Sequence, residues 1–456
     1  MAIWSKRSLL IGAVLYALVS IAIISLSSPL FRILGFEYSG CIALFSSLYL
    51  LFYSGSEAAK PGQSGIGGRA GSLLLPIFVL SSIPLAISLL SAFFIPNCSI
   101  ADGILFYIEI VYPTALIAGM CGIAIGSLPI SPNRRNSYLA LLWIGSFIIS
   151  LLPGYFTAKI FTYGWQYGYF PGFVWDEAIE LHSAYWISRI IEIALIGAWL
   201  NYYRRVRGKP IGARRSWQFT IMIVVFVLST VMIGKEFFDF PIYSYLEKDV
   251  ITGPIHIHYA PGSLSADELQ LEKVKIADDV KEIEHVYGLA LPSEIDIYIF
   301  PSTEALYEYV GTREASISKP WRHAVYIAKQ NLRSLKHELA HAMLAGYGSF
   351  PFDISWSTGL TEGAAVAIED SYDGLRSADE LSARSLQMKL ANGVAGVMQP
   401  SGFLSSAPSL SYVLSGSFTN YLLDRYGAEK FLRVYKERNF DAIYSEPLTK
   451  LESDWK

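Results

Sequence analysis

Seven long apolar runs in the first 236 residues constrain the fold of this chain more than any other feature. A helix needs about 17–25 apolar residues to cross a bilayer, and each run is near that length. With 52% apolar and 16% charged residues, the chain also has the composition of a membrane protein. We therefore predict an α-helical polytopic membrane domain of about seven spans in residues 1–236. The runs are Leu9–Leu26, Ile33–Tyr53, Ser72–Phe94, Ile104–Leu128, Tyr138–Ile160, Ala184–Tyr203 and Trp217–Gly234.

Basic residues in the connections between these runs predict the orientation. Apart from Arg32, between the first and second runs, they lie before the first run and in every second connection, and such residues are retained in the cytoplasm. The N-terminus is therefore expected in the cytoplasm, and an odd number of spans places everything after Gly234 on the extracytoplasmic side. Six further runs follow the first, which favours an uncleaved signal-anchor over a cleaved signal peptide. The basic residues are Lys6, Arg7, Lys60, Arg69, Arg134, Arg135, Arg204, Arg205, Arg207, Lys209, Arg214 and Arg215.

The basic cluster between Arg204 and Arg215 does not require a nucleic-acid partner. The formal net charge of the chain is −3 at pH 7, so no overall attraction to nucleic acid is expected. A topology determinant between two spans explains the cluster better than a nucleic-acid or lipid patch. We predict the lipid bilayer as a partner and no nucleic acid.

Charged residues also occur inside the predicted spans, where they are energetically costly. Arg189 and Glu192 are three positions apart and share a helix face, and Glu109 lies at a similar depth in another run. We interpret these residues as a structural ion-pair group, with a transport pathway as the alternative.

The loop from Thr162 to His182 is predicted on the extracytoplasmic side and is rich in aromatic residues. Aromatic side chains are enriched at membrane interfaces, so we expect them to lie there, beneath the second domain. They are Trp165, Tyr167, Tyr169, Phe170, Phe173 and Trp175.

From Phe240 the composition becomes that of a soluble protein, and residues 237–456 are predicted to form a second, α+β domain. The segments PIHIHYA, EIDIYIF and HAVYIA have the alternation of strands. Residues 265–288 have helical periodicity, with Ser265 and Glu268 at capping-box spacing. The HAVYIA strand is expected at an edge where an extended peptide pairs, with the sheet interior as the alternative.

The segment LKHELAHAM, Leu335–Met343, contains the main chemical motif of this domain. Its leucines recur at helical spacing, so His337 and His341, four positions apart, share a helix face and can direct ring nitrogens at one ion. Glu338 is turned away by about 100°, which suits contact with a water beside the metal. This is the HExxH pattern of zinc metallopeptidases, with Glu338 as the general base.

A catalytic zinc site generally has three protein ligands and one open position, so a third ligand is needed. Glu362 lies in the segment WSTGLTEGAAVAIED, which begins with the cap-forming residues Ser357 and Thr358. A glutamate on a second helix packed against the first would complete a site for one zinc ion per chain. Glu369, later in the same segment, is the alternative third ligand.

The combination of HELAH, LTEGAA and YVLSGSFTNYLLDRYG resembles the gluzincin metallopeptidases, the superfamily of thermolysin and aminopeptidases. The resemblance covers roughly residues 254–436 and not the membrane spans. It implies a zincin-like fold with zinc ligands His337, His341 and Glu362, and with Glu338 as general base. Tyr412 lies where gluzincins can supply a tyrosine that stabilises the tetrahedral intermediate.

This sequence departs from thermolysin four residues after the third ligand, where Val366 replaces the acid that orients a ligand histidine. We expect Glu369, two turns along from that ligand, to substitute for this acid. His256 and His258 lie two apart on a predicted strand and could hold an ion together, but we interpret them as surface residues. His323 begins the HAVYIA strand and could line the cleft.

Together these features predict a membrane-embedded zinc metallopeptidase that hydrolyses extracytoplasmic or membrane-proximal polypeptides. An intramembrane protease fits less well, because Arg333 and Lys336 make the surroundings of the motif polar. The alternative class is a non-catalytic peptide-binding, sensing or transport-associated membrane protein with an accessory zinc domain. Metal binding alone, however, does not require Glu338.

Overall fold

Helices make up most of the described chain, together with one small mixed sheet and one short hairpin. The structure is a computed structural model that describes residues 6–26, 29–60, 66–97, 99–128, 130–172, 177–206, 240–290, 292, 294–369, 371–372, 374–400, 402–403 and 407–456. It divides into two units. The first comprises Met1–Phe173 and Ala178–Asp239, and the second comprises Val174–Glu177 and Phe240–Lys456.

Three helices of the first unit, α3, α5 and α6, are long and apolar enough to cross a membrane. Two shorter apolar helical stretches, Ser8–Ile24 and Leu75–Ser91, lie in α1 and α4. The prediction of about seven spans is therefore supported for three, and the run Trp217–Gly234 lies outside the described residues. The helices are α1 (Lys6–Ile24), α2 (Pro29–Arg32), α3 (Phe36–Ala58), α4 (Ile66–Ser91), α5 (Ile100–Gly126), α6 (Pro132–Phe156) and α7 (Ser183–Val206).

Side chains in the first unit are arranged with apolar residues outside and small polar residues inside. In α6, Leu141, Ile144 and Ile148 are exposed, whereas Ser146 and Ser150 are buried. A helix on the surface of a soluble protein has the opposite arrangement. An apolar outer surface of this kind suits hydrocarbon as the surrounding medium.

Glycines allow α3 and α5 to pack in direct backbone contact. A Cβ atom added to Gly126 would lie 2.2 Å from the carbonyl oxygen of Gly55, and one added to Gly122 would lie 2.4 Å from that of Leu51. Small residues spaced four apart permit this close approach, which maximises van der Waals contact between membrane helices. The glycines of the sequence thus provide the cause of the close contact between α3 and α5.

A β-hairpin between α6 and α7 packs inside the first unit. Its strands are β1 (Thr162–Gly164) and β2 (Gly168–Phe170), and the turn residues Trp165 and Gln166 are fully buried. The indole Nε1 of Trp165 donates to Ser146 Oγ over 3.1 Å. The Gln166 side chain donates to the carbonyl oxygen of Trp143 over 3.1 Å.

The predicted interfacial position of the aromatic loop is therefore wrong for Trp165, Tyr167 and Tyr169, which are all buried within the unit. Phe170 is partly exposed, whereas Phe173 and Trp175 lie outside the described residues. The composition of the loop did not reveal this, because tyrosine and tryptophan side chains suit both the membrane interface and the protein interior.

Arg189 and Glu192 form a buried ion pair within α7, with Nη2 and Oε2 3.1 Å apart. The Arg189 guanidinium also lies over the ring of Tyr185, 5.1 Å from its centroid. Among the described residues, Glu109 forms no ion pair with Arg189; the Tyr185 hydroxyl instead donates to the backbone carbonyl of Glu109. Of the three charged residues that were predicted to form one group, Arg189 and Glu192 are paired, and Glu109 is not part of that ion pair.

The second unit contains a five-stranded sheet in the order β3-β4-β5-β7-β6. The central strands β4, β5 and β7 are parallel, and β3 and β6 add antiparallel edges. The three strands predicted from PIHIHYA, EIDIYIF and HAVYIA are confirmed as β4, β5 and β7. The bounds are β3 (Lys248–Thr252), β4 (Ile255–Tyr259), β5 (Ile295–Phe300), β6 (Ile317–Lys319) and β7 (Ala324–Ala328).

Helices accompany this sheet along the chain, and those after β7 form most of the remaining core. The helix predicted over 265–288 is confirmed as α9, and both hydrogen bonds of its Ser265–Glu268 capping box are present. The helices are α8 (Phe240–Tyr245), α9 (Ala266–Tyr287), α10 (Thr303–Tyr309), α11 (Leu335–Met343), α12 (Thr358–Val366), α13 (Ala378–Gln387), α14 (Pro408–Tyr426), α15 (Ala428–Glu437), α16 (Phe440–Tyr444) and α17 (Leu448–Trp455).

One face of the sheet builds the core. Ile255 and Ile257 of β4 and Ile297 of β5 are buried in one cluster with Val280 of α9 and Leu339 of α11. Because successive strand residues point to opposite faces, the residues between these isoleucines lie on the other face. The sheet thus separates α9 and α11 from a second, more polar surface.

The expectation that HAVYIA forms an edge strand is wrong, because β7 lies between β5 and β6 and all five of its residues are buried. The alternative, a strand in the sheet interior, is what the structure shows. The edge on that side is β6, which has only three residues and was not predicted.

The glycine contact between α3 and α5 generates a prediction. Gly126→Ala should destabilise the first unit by about 1–3 kcal/mol, because the new methyl group meets backbone atoms that cannot rotate away. Gly145→Ala in α6 is the matched control, since nothing lies within 4 Å of the added Cβ. Thermal unfolding of the detergent-solubilised full chain measures both, and equal melting temperatures would contradict the packing described.

Candidate metal centre

The motif segment folds as the predicted helix, α11, from Leu335 to Met343. Its apolar residues Leu335, Leu339 and Met343 are buried in the core of the second unit. Ser334 occupies the N-cap position without a side-chain capping bond, and a 3₁₀ turn, Lys329–Ser334, leads directly into the helix. With this face held in the core, the histidines of the motif lie together on another face.

The segment after the motif forms the second predicted helix, α12, from Thr358 to Val366. Ser357 caps it by accepting a hydrogen bond from the backbone of Leu360. A Cβ added to Gly363 would lie 2.7 Å from the carbonyl oxygen of Ser415, so glycine is needed for the close contact with α14. The hydroxyl of Tyr287, from α9, donates to the carbonyl oxygen of Ala364. These contacts fix the position of Glu362, which lies between Thr361 and Gly363.

The structure brings His337, His341 and Glu362 together as a group whose donor atoms lie within 4.8 Å of one another. Glu362 Oε2 is 3.3 Å from His337 Nε2 and 3.5 Å from His341 Nε2. Donor atoms about 2.1 Å from one tetrahedral ion lie about 3.4 Å apart. The three side chains are therefore already spaced as ligands of a single ion.

The chemistry of the donors also suits zinc. Two imidazoles and one carboxylate are a ligand set of catalytic zinc sites, which leave one position open. His341 is buried, and its Nδ1 has no hydrogen-bond partner among the described residues. Its Nε2, which lies 3.5 Å from Glu362 Oε2, is the nitrogen directed at the ligand group.

Glu369 contacts the other nitrogen of His337. Its Oε1 lies 2.8 Å from Nδ1, a hydrogen bond that leaves Nε2 of the same ring directed at Glu362. Helix α12 ends at Val366, so Glu369 lies in the turn after it rather than on the helical face expected from the sequence. A carboxylate at this nitrogen orients the ring and increases its basicity as a ligand.

The charges in this group are strongly coupled. Burial alone would lower the pKa of His337, but hydrogen bonds with Glu362 and Glu369 outweigh it and raise this pKa to about 10. Burial opposes ionisation of Glu362, yet the charges of His341 and His337 hold its pKa well below the usual range. Without a metal, the group is thus a set of charge-assisted hydrogen bonds, and a cation would replace protons at the Nε2 atoms.

Glu338 is buried beside the ligand group without being part of it. Burial raises the pKa of its carboxyl to about 7, and the nearby charges of His337 and His341 oppose that rise. A carboxyl with a pKa near neutrality can both take up and release a proton at physiological pH.

Tyr412 lies on α14 near the histidines, with its ring centroid 6.4 Å from that of His337. It packs edge-on against Phe403, with ring centroids 5.0 Å apart. Three of the other predicted candidates do not join the group. His256 and His258 belong to a separate cluster on the sheet, and His323 lies at a turn before β7 with a left-handed backbone, φ = 49°.

Strand β6 is the feature of this region that sequence reasoning missed. Helix α11 packs against both β6 and β7, so the outer edge of the sheet runs beside the histidine helix. The only signal in the sequence was a three-residue segment, Ile317–Lys319, which is too short for alternation to be recognised.

Comparisons with known proteins do not assign the chain to a family, because no family model matches it and no curated protein matches it.

The Glu369 contact generates a prediction about metal affinity. Glu369→Ala should weaken zinc binding by about 10- to 100-fold, because Nδ1 of His337 loses the partner that orients the ring. Glu362→Ala should have the larger effect, since it removes a direct ligand. Zinc competition titrations with a chromophoric chelator measure both. Loss of binding in Glu369→Ala with normal binding in Glu362→Ala would show that Glu369 is the third ligand.

Proposed function

We propose that this chain is a membrane-anchored zinc metallopeptidase of the gluzincin type. The observation that carries the proposal is the convergence of His337, His341 and Glu362 at tetrahedral spacing, with the buried Glu338 next to the first ligand. The α+β order of the second unit, with the motif helix following a mixed sheet, is consistent with a zincin-like fold.

Zinc bound by these three residues would polarise the scissile carbonyl and lower the pKa of a water molecule. The Glu338 carboxylate takes the proton of that water and passes it to the leaving amine nitrogen. Glu369 holds His337 in the orientation that directs Nε2 at Glu362. Tyr412 is the candidate donor to the oxygen that becomes negatively charged in the tetrahedral intermediate.

The proposed substrate is a polypeptide in an extended conformation. Among the residues that the structure describes, strand β6 pairs with β7 alone, and it lies against the helix that contains His337 and His341. An extended segment can pair with such an edge through its backbone groups, and only an unfolded or flexible segment has those groups free. Exported or membrane-anchored chains are the substrate class that fits an extracytoplasmic site.

Two rival functions are less well supported. An intramembrane protease needs its motif within a membrane span, whereas α11 has only nine residues and belongs to the second unit. A purely zinc-binding accessory domain has no need of a buried glutamate beside the ligands, and burying an acid without a function is costly.

Catalysis by Glu338 is tested with Glu338→Gln in the purified full chain. The amide cannot accept the proton, so hydrolysis of an unfolded polypeptide should fall by about 10²- to 10⁴-fold, while the zinc content stays unchanged. Glu308→Gln, the same substitution at an exposed position of α10, is the control and should retain full activity. Mass-spectrometric metal analysis and a peptide-release assay give the two readouts, and unchanged turnover in Glu338→Gln would refute the mechanism.

We further propose a multi-pass arrangement of about seven spans, with the N-terminus in the cytoplasm and the zinc unit outside. The basic residues from Arg204 to Arg215 are held inside, and the run Trp217–Gly234 is the single crossing between them and that unit. The three candidate helices of the first unit support membrane insertion.

This orientation predicts the outcome of protease protection. In intact cells, added protease should digest a tag placed after Lys456 and spare a tag inserted at Gly208, which lies outside the described residues. Permeabilised cells are the control, because both tags should then be digested. The reverse pattern in intact cells would refute both the topology and the extracytoplasmic substrate class.

A further inference from the structure

A second cluster of histidines and carboxylates lies on the sheet face away from the core. Ile255 and Ile257 of β4 are buried in the core with Leu339 of α11, so His256 and His258 point to the opposite face. The strand register places Asp296 of β5 beside His256. It places Asp249 of β3 beside His258. The cluster therefore draws on three adjacent strands.

The donor atoms of this cluster converge. Asp296 Oδ1 is 2.9 Å from His258 Nε2 and 3.5 Å from His256 Nδ1. His256 Nδ1 is also 3.0 Å from Glu294 Oε1. The donor atoms of Asp249, His256 and His258 lie within 4.8 Å of one another, as do those of His256, Glu294 and Asp296. His256 is thus common to two overlapping sets of potential ligands.

The charge of the cluster favours a cation. Among the residues that the structure describes, no lysine or arginine forms an ion pair with Asp249, Glu294 or Asp296. Three carboxylates around two imidazoles leave negative charge that a divalent ion would neutralise.

The surroundings also orient one of the two rings. His258 stacks on Tyr298, with ring centroids 4.5 Å apart, and Tyr298 stacks in turn on Tyr326. Both tyrosines are buried. This aromatic column holds the His258 ring so that Nε2 faces Asp296, which limits the rearrangement needed to bind an ion.

We propose that Asp249, His256 and His258, with Asp296 as the fourth ligand, form a second metal site suited to a divalent transition-metal ion such as zinc. Two imidazoles with carboxylates select such ions over calcium and magnesium, which prefer all-oxygen ligands. Four protein ligands leave no open position, so the site is structural. It links the edge strand β3 to β4 and β5, and it is separate from the His337 group because the sheet lies between them.

The experiment counts zinc bound to the purified, chelator-stripped full chain after reloading and gel filtration. The wild type should hold two zinc ions. The double variant His256→Ala/His258→Ala should hold one zinc ion, and its rate of peptide hydrolysis should be unchanged. Zinc should raise its melting temperature by less than it raises that of the wild type. His285→Ala, at an exposed position on α9, is the control for non-specific binding to histidine and should still hold two.

Asp296→Asn provides a second variant, nearly identical in shape, in case the double alanine variant does not fold. It should weaken binding at this site by about tenfold or more. Unchanged zinc affinity in Asp296→Asn, or two zinc ions in His256→Ala/His258→Ala, would overturn the proposal. A wild type that holds one zinc ion, lost in His337→Ala/His341→Ala, would overturn it as well.

The two proposed sites fail independently. If a single zinc ion is lost in His256→Ala/His258→Ala and retained in His337→Ala/His341→Ala, the sheet site stands and the metallopeptidase proposal falls. If each pair of substitutions removes one ion and all four together remove both, the two sites stand together.

Discussion

The packing of α11 against α12 in the second unit depends on one mostly buried carboxylate, that of Glu362, whose side chain is 15% exposed. Removing the charge of Glu362 from water costs several kcal/mol unless opposite charge or hydrogen-bond donors replace the lost hydration. The imidazoles of His337 and His341 supply that compensation, so α11 and α12 must stay in register with each other. Around this contact, Gly363 admits α14, and Tyr287 of α9 bonds to the backbone of α12. The packing of these helices thus depends on the charge pairing of Glu362 with His337 and His341 as well as on the apolar core.

Much of the second unit could be predicted from local signals. Periodicity identified α9, α11 and three central strands, because each places an unbroken apolar stripe against the core. The common helix face of His337 and His341 followed from the spacing of a motif that needs a helix, whereas Glu362 was predicted from a second helical segment and from the family resemblance. The edge strands β3 and β6 were missed, because they pair on one side and carry little apolar pattern. The end of α12 before Glu369 was also missed, since nothing in the sequence AIED marks the turn.

The first unit was harder to predict, because an apolar run specifies a helix without specifying its surroundings. Lipid and protein interior demand the same side chains, so hydropathy cannot separate a lipid-facing stripe from a buried one. The serines of α6 carry that information, since Ser146 and Ser150 lie on the buried side. The ion pair of α7 was foreseen from spacing alone. Whether Glu109 of α5 faces Arg189 of α7 depends on how each helix is rotated about its own axis, and sequence spacing does not determine that rotation.

The buried hairpin between α6 and α7 makes an apparent loop part of the protein interior. Trp165 and Gln166 take their hydrogen-bond partners from Trp143 and Ser146, so the hairpin and α6 are expected to change together during evolution. An insertion at the turn of the hairpin would displace these side chains from the interior of the first unit. A reporter fused there would therefore give the signal of misfolded protein. This connection between α6 and α7 is consequently a poor place for insertions or fusions.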